Sequence, residues 1–153
     1  MNALQRLSDL GLVLPAAASG LGSYLPWSRT GSVVTTSGQF PWSGVDLAYQ
    51  GRLGEVISIA DGYQAARLCA LNAIAQLRDA AGGDLENVAR VLRLEGNLLC
   101  TPDFVDHAGV LNGASDLIND VFGERGRHSR AVTGVASMPL GSPVLLYVQA
   151  EVK

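Results

Sequence analysis

A few polar groups stand where secondary structure should begin or end: Tyr24, the Ser37-Gly38-Gln39 run, Asn112, His128 and Arg130. Arg130 is the most informative, because it closes the polar turn "GERGRHSR" and opens the apolar run "AVTGVAS". A guanidinium stays charged at neutral pH, and its planar fork meets a carboxylate through two parallel hydrogen bonds that an ammonium cannot reproduce. His128 lies two residues earlier, on the same side of an extended segment, and an imidazole there could orient a water or carry a proton. Each group also has a plainer reading. Ser37-Gly38 suits a turn, Tyr24 a half-buried loop residue, Asn112 beside Gly113 a helix irregularity, His128 a brace for its turn, and Arg130 a surface pair with Glu124.

Other chemistries lack their residues. The chain has no GxxxxGK[ST] or GxGxxG phosphate loop, no HExxH and no GxSxG, and the nucleotide and metalloprotease readings drop out. Two cysteines and two histidines without close spacing give no zinc site, so neither metal nor cofactor is expected. His107 reads as a surface helix residue. Cys69 and Cys100 read as reduced thiols in apolar surroundings, the pattern of a cytoplasmic protein. A net charge of −3 with only 11 Lys and Arg offers no footprint for a nucleic-acid backbone. No run approaches the ~18 uncharged apolar residues of a membrane span.

These residues need a frame, and 153 residues suffice for one compact domain, taken as 1–153. The start to about Ser8 reads as helix, and "LGLVLP" as a short strand ending at Pro15. "SVVTTSGQFPW" reads as a strand closing on a turn, and the Gly-punctuated stretch after it as a connection with a short hairpin. From Asp61 an apolar stripe through Ala66, Ala70, Ala73, Ile74, Leu77 and Ala81 predicts a helix stopped by Gly82-Gly83. "GDLENVARVLRLEGNLL" begins with a helical turn and becomes a strand in which Leu92 and Leu94 share one face. Thr101-Pro102-Asp103 predicts the start of a second helix with a stripe through Phe104, Ala108, Leu111, Ser115, Ile118 and Phe122, ending at Gly123. "RAVTGVAS" and "SPVLLYVQAEV" read as a strand pair turning at Pro139 to Gly141. The order predicts an α+β fold, a mixed β-sheet with two helices packed on one face.

The sequence resembles the Rid (YjgF) family from about Leu10 to Val152. The resemblance rests on "TTSGQFP", on "AARLCALNAIAQL" before "AAGGDLENVARV", and on "SRAVTGVASMPLGSPV". Tyr24 stands thirteen positions before Ser37, and Arg130 nine before Pro139, as the family's loop tyrosine and arginine do. "GRHSR" looks closest to a subgroup with Gly-x-His-x-Arg in place of Pro-x-Arg.

That resemblance implies a fold like bacterial chorismate mutase and a homotrimer with ligand clefts between subunits. It implies that Arg130 holds a substrate carboxylate, that backbone groups at Ser37 and Gly38 line the same cleft, and that Tyr24 closes its apolar side. The implied activity is 2-iminobutanoate/2-iminopropanoate deaminase-like hydrolysis of small reactive 2-imino acids. Active members hold the attacking water with a glutamate on the last strand, and here that position is Leu145. Glu151 shares its face but lies ~20 Å along the strand, which leaves His128 as the alternative acid/base group. A non-catalytic trimeric binder of a keto acid is therefore a second implication, and the endoribonuclease activity attached to some relatives a third.

Overall fold

The computed structural model describes all 153 residues. Helix α1 (Ala3–Asp9) opens on a reciprocal cap in which Asn2 accepts from the Gln5 amide and Gln5 accepts from the Asn2 amide, satisfying two donors that a helix start leaves free. The expected strand over "LGLVLP" does not form. Its alternation is real, since Leu12 and Leu14 pack on the core and Val13 is exposed. No strand lies alongside, however, and the Leu12 amide turns back to the Leu7 carbonyl.

β1 (Trp27–Thr30) and β2 (Val33–Thr36) form a hairpin, and β3 (Trp42–Ser43) and β4 (Asp46–Leu47) form the short one anticipated after Pro41. Helix α2 (Ile59–Ala80) begins two residues before Asp61, where Ser58 caps the Asp61 amide. It stops before Gly82 and Gly83, both at positive φ, a conformation that costs glycine little. Its buried side chains include Ala65, Ala66, Cys69, Ala70 and Ala73, small enough for the helix to lie close to its neighbours. The 3-10 turn Leu85–Asn87 leads into β5 (Val88–Leu99). A register shift between Val91 and Arg93 moves the buried face, so Val91 and Leu94 are buried and Leu92 is half exposed, contrary to simple alternation.

Helix α3 spans His107–Phe122 and is capped by Asp106, which accepts from the Gly109 amide. The expected start at Thr101 is wrong because the chain is still tied to the sheet there. The Cys100 amide donates to Val135 and the Thr101 amide to Leu53. Gly113 produces no irregularity. A Cβ at that position would overlap the Tyr63 carbonyl, so glycine lets α3 cross α2 backbone to backbone.

β6 (Ser129–Val135) and β7 (Val144–Val152) complete a five-stranded sheet in the order β1-β2-β7-β5-β6. The expected pairing of β6 with β7 is not observed. β5, with twelve residues, takes both as neighbours, β6 in parallel through the α3 crossover and β7 antiparallel. A strand reached through a helix enters in parallel, which commits β6 to one side of β5 and leaves the other for β7. The 3-10 turn at Pro139–Gly141 is present and carries the sole non-glycine residue at positive φ, Leu140. The main helices pack on one face, as expected, over Val91, Leu94, Leu98, Leu146 and Val148. The opposite face, with Glu95, Asn97, Thr133, Leu145 and Tyr147 in neighbouring register, has no helix over it. No helix is long and apolar enough to cross a membrane.

Candidate functional site

Arg130 is the second residue of β6, opposite Leu94, and its side chain therefore leaves the sheet toward α3. Its Nη1 donates to Asn112 Oδ1 at 2.8 Å and to Ser115 Oγ at 3.2 Å. Both acceptors are neutral, so they aim the guanidinium without cancelling its charge. Glu124, the acid that might have paired with it, lies against Arg127 at 3.5 Å instead.

His128 reaches the same serine. Its Nε2 lies 2.9 Å from Ser115 Oγ and its Nδ1 2.5 Å from the Gly126 carbonyl. A carbonyl only accepts, so in the neutral ring Nδ1 carries the hydrogen and Nε2 accepts the Ser115 hydroxyl proton. The serine lone pairs then face Arg130. Donor and acceptor directions agree along the whole chain from arginine to serine to histidine to carbonyl. Both His128 nitrogens are thus engaged within the fold, the arrangement of a brace for Arg130.

The second group gathers on the far side of the sheet order. Tyr24, Ser37 and Gly38 line one shallow hollow with Gly20, Leu21 and Phe40. Ser37 is fixed by its hydroxyl donating to the Leu25 carbonyl at 2.6 Å and its amide to Pro26 at 2.8 Å. Gln39 pairs in both directions with Leu146, so Gly38 is stretched over β7. A Cβ on Gly38 would stand 2.5 Å from Leu145 Cδ1. The Tyr24 hydroxyl accepts from the Leu21 amide at 3.1 Å, and the residue is 51% exposed. Gly20 and Gly22 flank its ring closely: a Cβ at Gly20 would stand 2.9 Å from the Tyr24 carbonyl oxygen, and one at Gly22 3.0 Å from the ring.

The structure thus brings Arg130 to His128, and Tyr24 to Ser37 and Gly38, but it does not bring the two groups together. β7 and β5 lie between β2 and β6, a separation of roughly 14 Å at ~4.8 Å per strand. Within one chain they remain two separate groups.

Leu145 is 8% exposed beneath Gly38 and sits across from Asn97, which accepts a 2.9 Å hydrogen bond from Thr133. Sequence reasoning missed three of these positions. Ser115 was hidden in an apolar stripe, and Asn97 and Thr133 become neighbours only through the parallel register. No group of three or more His, Cys, Asp or Glu side chains is placed to share a metal ion.

Residues 4–152 match the family described as "YjgF/chorismate mutase-like, putative endoribonuclease". A Shewanella oneidensis MR-1 protein whose crystal structure bears the same endoribonuclease description is 45% identical, with a TM-score of 0.96 over 99% of this chain and 100% of that one. Atu1372 from Agrobacterium tumefaciens, described as of unknown function, is 39% identical with a TM-score of 0.93, covering 99% and 92%. Among curated proteins, TCP17 of Trypanosoma cruzi is 42% identical over 90% of this chain and 86% of its own length. At fold level only, E. coli TdcF with bound serine is 22% identical with a TM-score of 0.63, covering 90% and 94%.

Proposed function

The chain belongs to the YjgF/chorismate mutase-like family, and on that premise we propose that it is a trimeric hydrolase of small 2-imino acids whose carboxylate is held by Arg130. The observation that carries this reading is the guanidinium itself, aimed by Asn112 and Ser115 and paired with no acid. A fork held on one side by neutral acceptors keeps its charge for an anion on the other. That TdcF binds serine, a small α-carboxylate, agrees with this ligand class. In the proposed trimer the Arg130 half-site of one subunit faces the Tyr24, Ser37 and Gly38 half-site of the next, which gives the cleft that one chain lacks.

A protonated imine carbon is already electrophilic, so hydrolysis asks mainly that substrate and water be held together. The Gly38 amide makes no hydrogen bond within the chain and offers a donor to the ligand. Leu145 neither accepts a proton nor orients a water. This favours a second reading, a trimer that binds keto acids without turnover. The endoribonuclease description of relatives draws little support from a sequence with more Asp and Glu, 14, than Lys and Arg, 11.

The experiment is ammonia release from freshly generated 2-iminopropionate, alongside calorimetry with 2-ketobutyrate. Hydrolysis above background that Arg130→Ala abolishes supports the hydrolase. Binding that Arg130→Ala abolishes without any turnover supports the binder. Leu145→Glu is expected to raise kcat with little change in KM. If neither ligand binds, Arg130 is not a carboxylate clamp.

A further inference from the structure

At the other end of β6, a second cavity contains a nucleophile and a base. Cys100 Sγ lies 3.7 Å from His107 Nε2, on the wall of an opening of about 380 Å³ between the end of β5, the start of α3 and the end of β6. The backbone of the cysteine and the ring of the histidine are both held. The Cys100 amide is tied to Val135, and the His107 ring stands edge-on to Phe104 with centroids 5.2 Å apart. Gly134 faces the pair, and a Cβ there would approach Sγ to 2.7 Å and Nε2 to 2.8 Å, so the space both groups occupy exists because residue 134 has no side chain. The other lining residues include Pro102, Phe104, Val135 and Ala136, and no Lys or Arg among them could hold an anion. Asp103 and Asp106 lie in the adjoining hollow, which further disfavours negatively charged molecules.

We propose that Cys100 and His107 form a nucleophilic thiol–imidazole pair that adds to small neutral α,β-unsaturated carbonyl compounds entering this cavity. His107 Nε2 takes the thiol proton, and the sulfur lone pair forms the C–S bond at the β carbon while the C=C π pair moves onto the carbonyl as an enolate. The imidazolium then returns the proton to the α carbon. The product is a thioether, and nothing is oxidised or reduced. Gly134 lies four residues along β6 from Arg130, roughly 13 Å, so this pair does not depend on the Arg130 reading. Cys69 serves as an internal control. It is fully buried, and burial pushes its thiol well up from the ordinary cysteine range, which suppresses the reactive thiolate.

The test uses the full chain with N-ethylmaleimide, followed by intact mass and peptide mapping. One adduct per chain is expected, on Cys100 and not Cys69, forming more than roughly tenfold faster than on free N-acetylcysteine at the same pH. His107→Gln should slow it by more than roughly tenfold, Cys100→Ser should abolish it, and Arg130→Ala should leave it unchanged. Wild-type protein should also prefer N-ethylmaleimide over 3-maleimidopropionate, a comparison that needs no variant to fold. A Cys100 that reacts no faster than the free thiol, that ignores loss of His107, or that favours the anionic reagent overturns the proposal.

Discussion

Gly38 lies so close over Leu145 that a Cβ added at position 38 would run into the leucine side chain. With a Cβ 2.5 Å from Leu145 Cδ1, Gly38→Ala must displace either the leucine or the strand-end that Gln39 fastens to Leu146. We expect a loss of about 1–3 kcal/mol, seen as a lower denaturant midpoint with an unchanged m-value. The double variant Gly38→Ala/Leu145→Ala should recover part of that loss, and no recovery would mean that the leucine is not the obstacle.

Ser115 supports Arg130 from behind, without a place in the proposed cleft. Ser115→Ala removes one acceptor from the guanidinium and the hydroxyl that fills His128 Nε2. A neutral hydrogen bond contributes about 0.5–1.5 kcal/mol, so 2-ketobutyrate binding should weaken roughly two- to tenfold. Arg130→Lys should lose more, because a point charge cannot reproduce the fork. Losses in calorimetry that simply add in the Ser115→Ala/Arg130→Lys double variant would show that serine does not act through the arginine.

Glu86 predicts how the protein responds to acid. Its carboxylate accepts the Ala3 amide at 2.9 Å and faces Arg125 at 3.2 Å. The amide first, and the guanidinium after it, hold its carboxyl below the ordinary range. A folded value below the unfolded one means that the contribution is complete above the unfolded carboxyl range and is lost as pH falls through the folded value. Thermal midpoints of wild type and Glu86→Gln should therefore differ at neutral pH and converge in acid. Because the side chain is 45% exposed, solvent screening keeps the difference small. A gap that persists into strong acid would show that Glu86 acts through packing.

Local structure was legible where one residue carries it. Gly82-Gly83 marks the end of α2 and Gly123 the end of α3, because positive φ is a property of the residue itself. The partner of a strand is not. "RAVTGVAS" and "SPVLLYVQAEV" read as a hairpin since they are consecutive, and only the α3 crossover and the length of β5 separate them. Ser115 shows the same limit within a site. Its spacing places it on the buried stripe of α3, and the arginine and histidine that give its hydroxyl a purpose come from beyond the helix. Family resemblance singles out Tyr24, Ser37, Gly38 and Arg130, yet their separation into two groups follows from strand order, which spacing along the chain does not encode.

The position of β7 also governs the sequence of events as the protein is made. It is the last of the seven strands to be synthesised, yet it lies between β2 and β5 and pairs with residues as distant as Val33, opposite Glu151. Until Val144–Val152 leaves the ribosome, the β1-β2 hairpin and the β5-β6 pair are fragments with no strand to join them. The sheet therefore closes only once β7 is available, and contacts of such long sequence separation slow that closure. Until then the edges of β2 and β5 that β7 covers have no strand partner, a condition that favours aggregation of an incompletely folded chain.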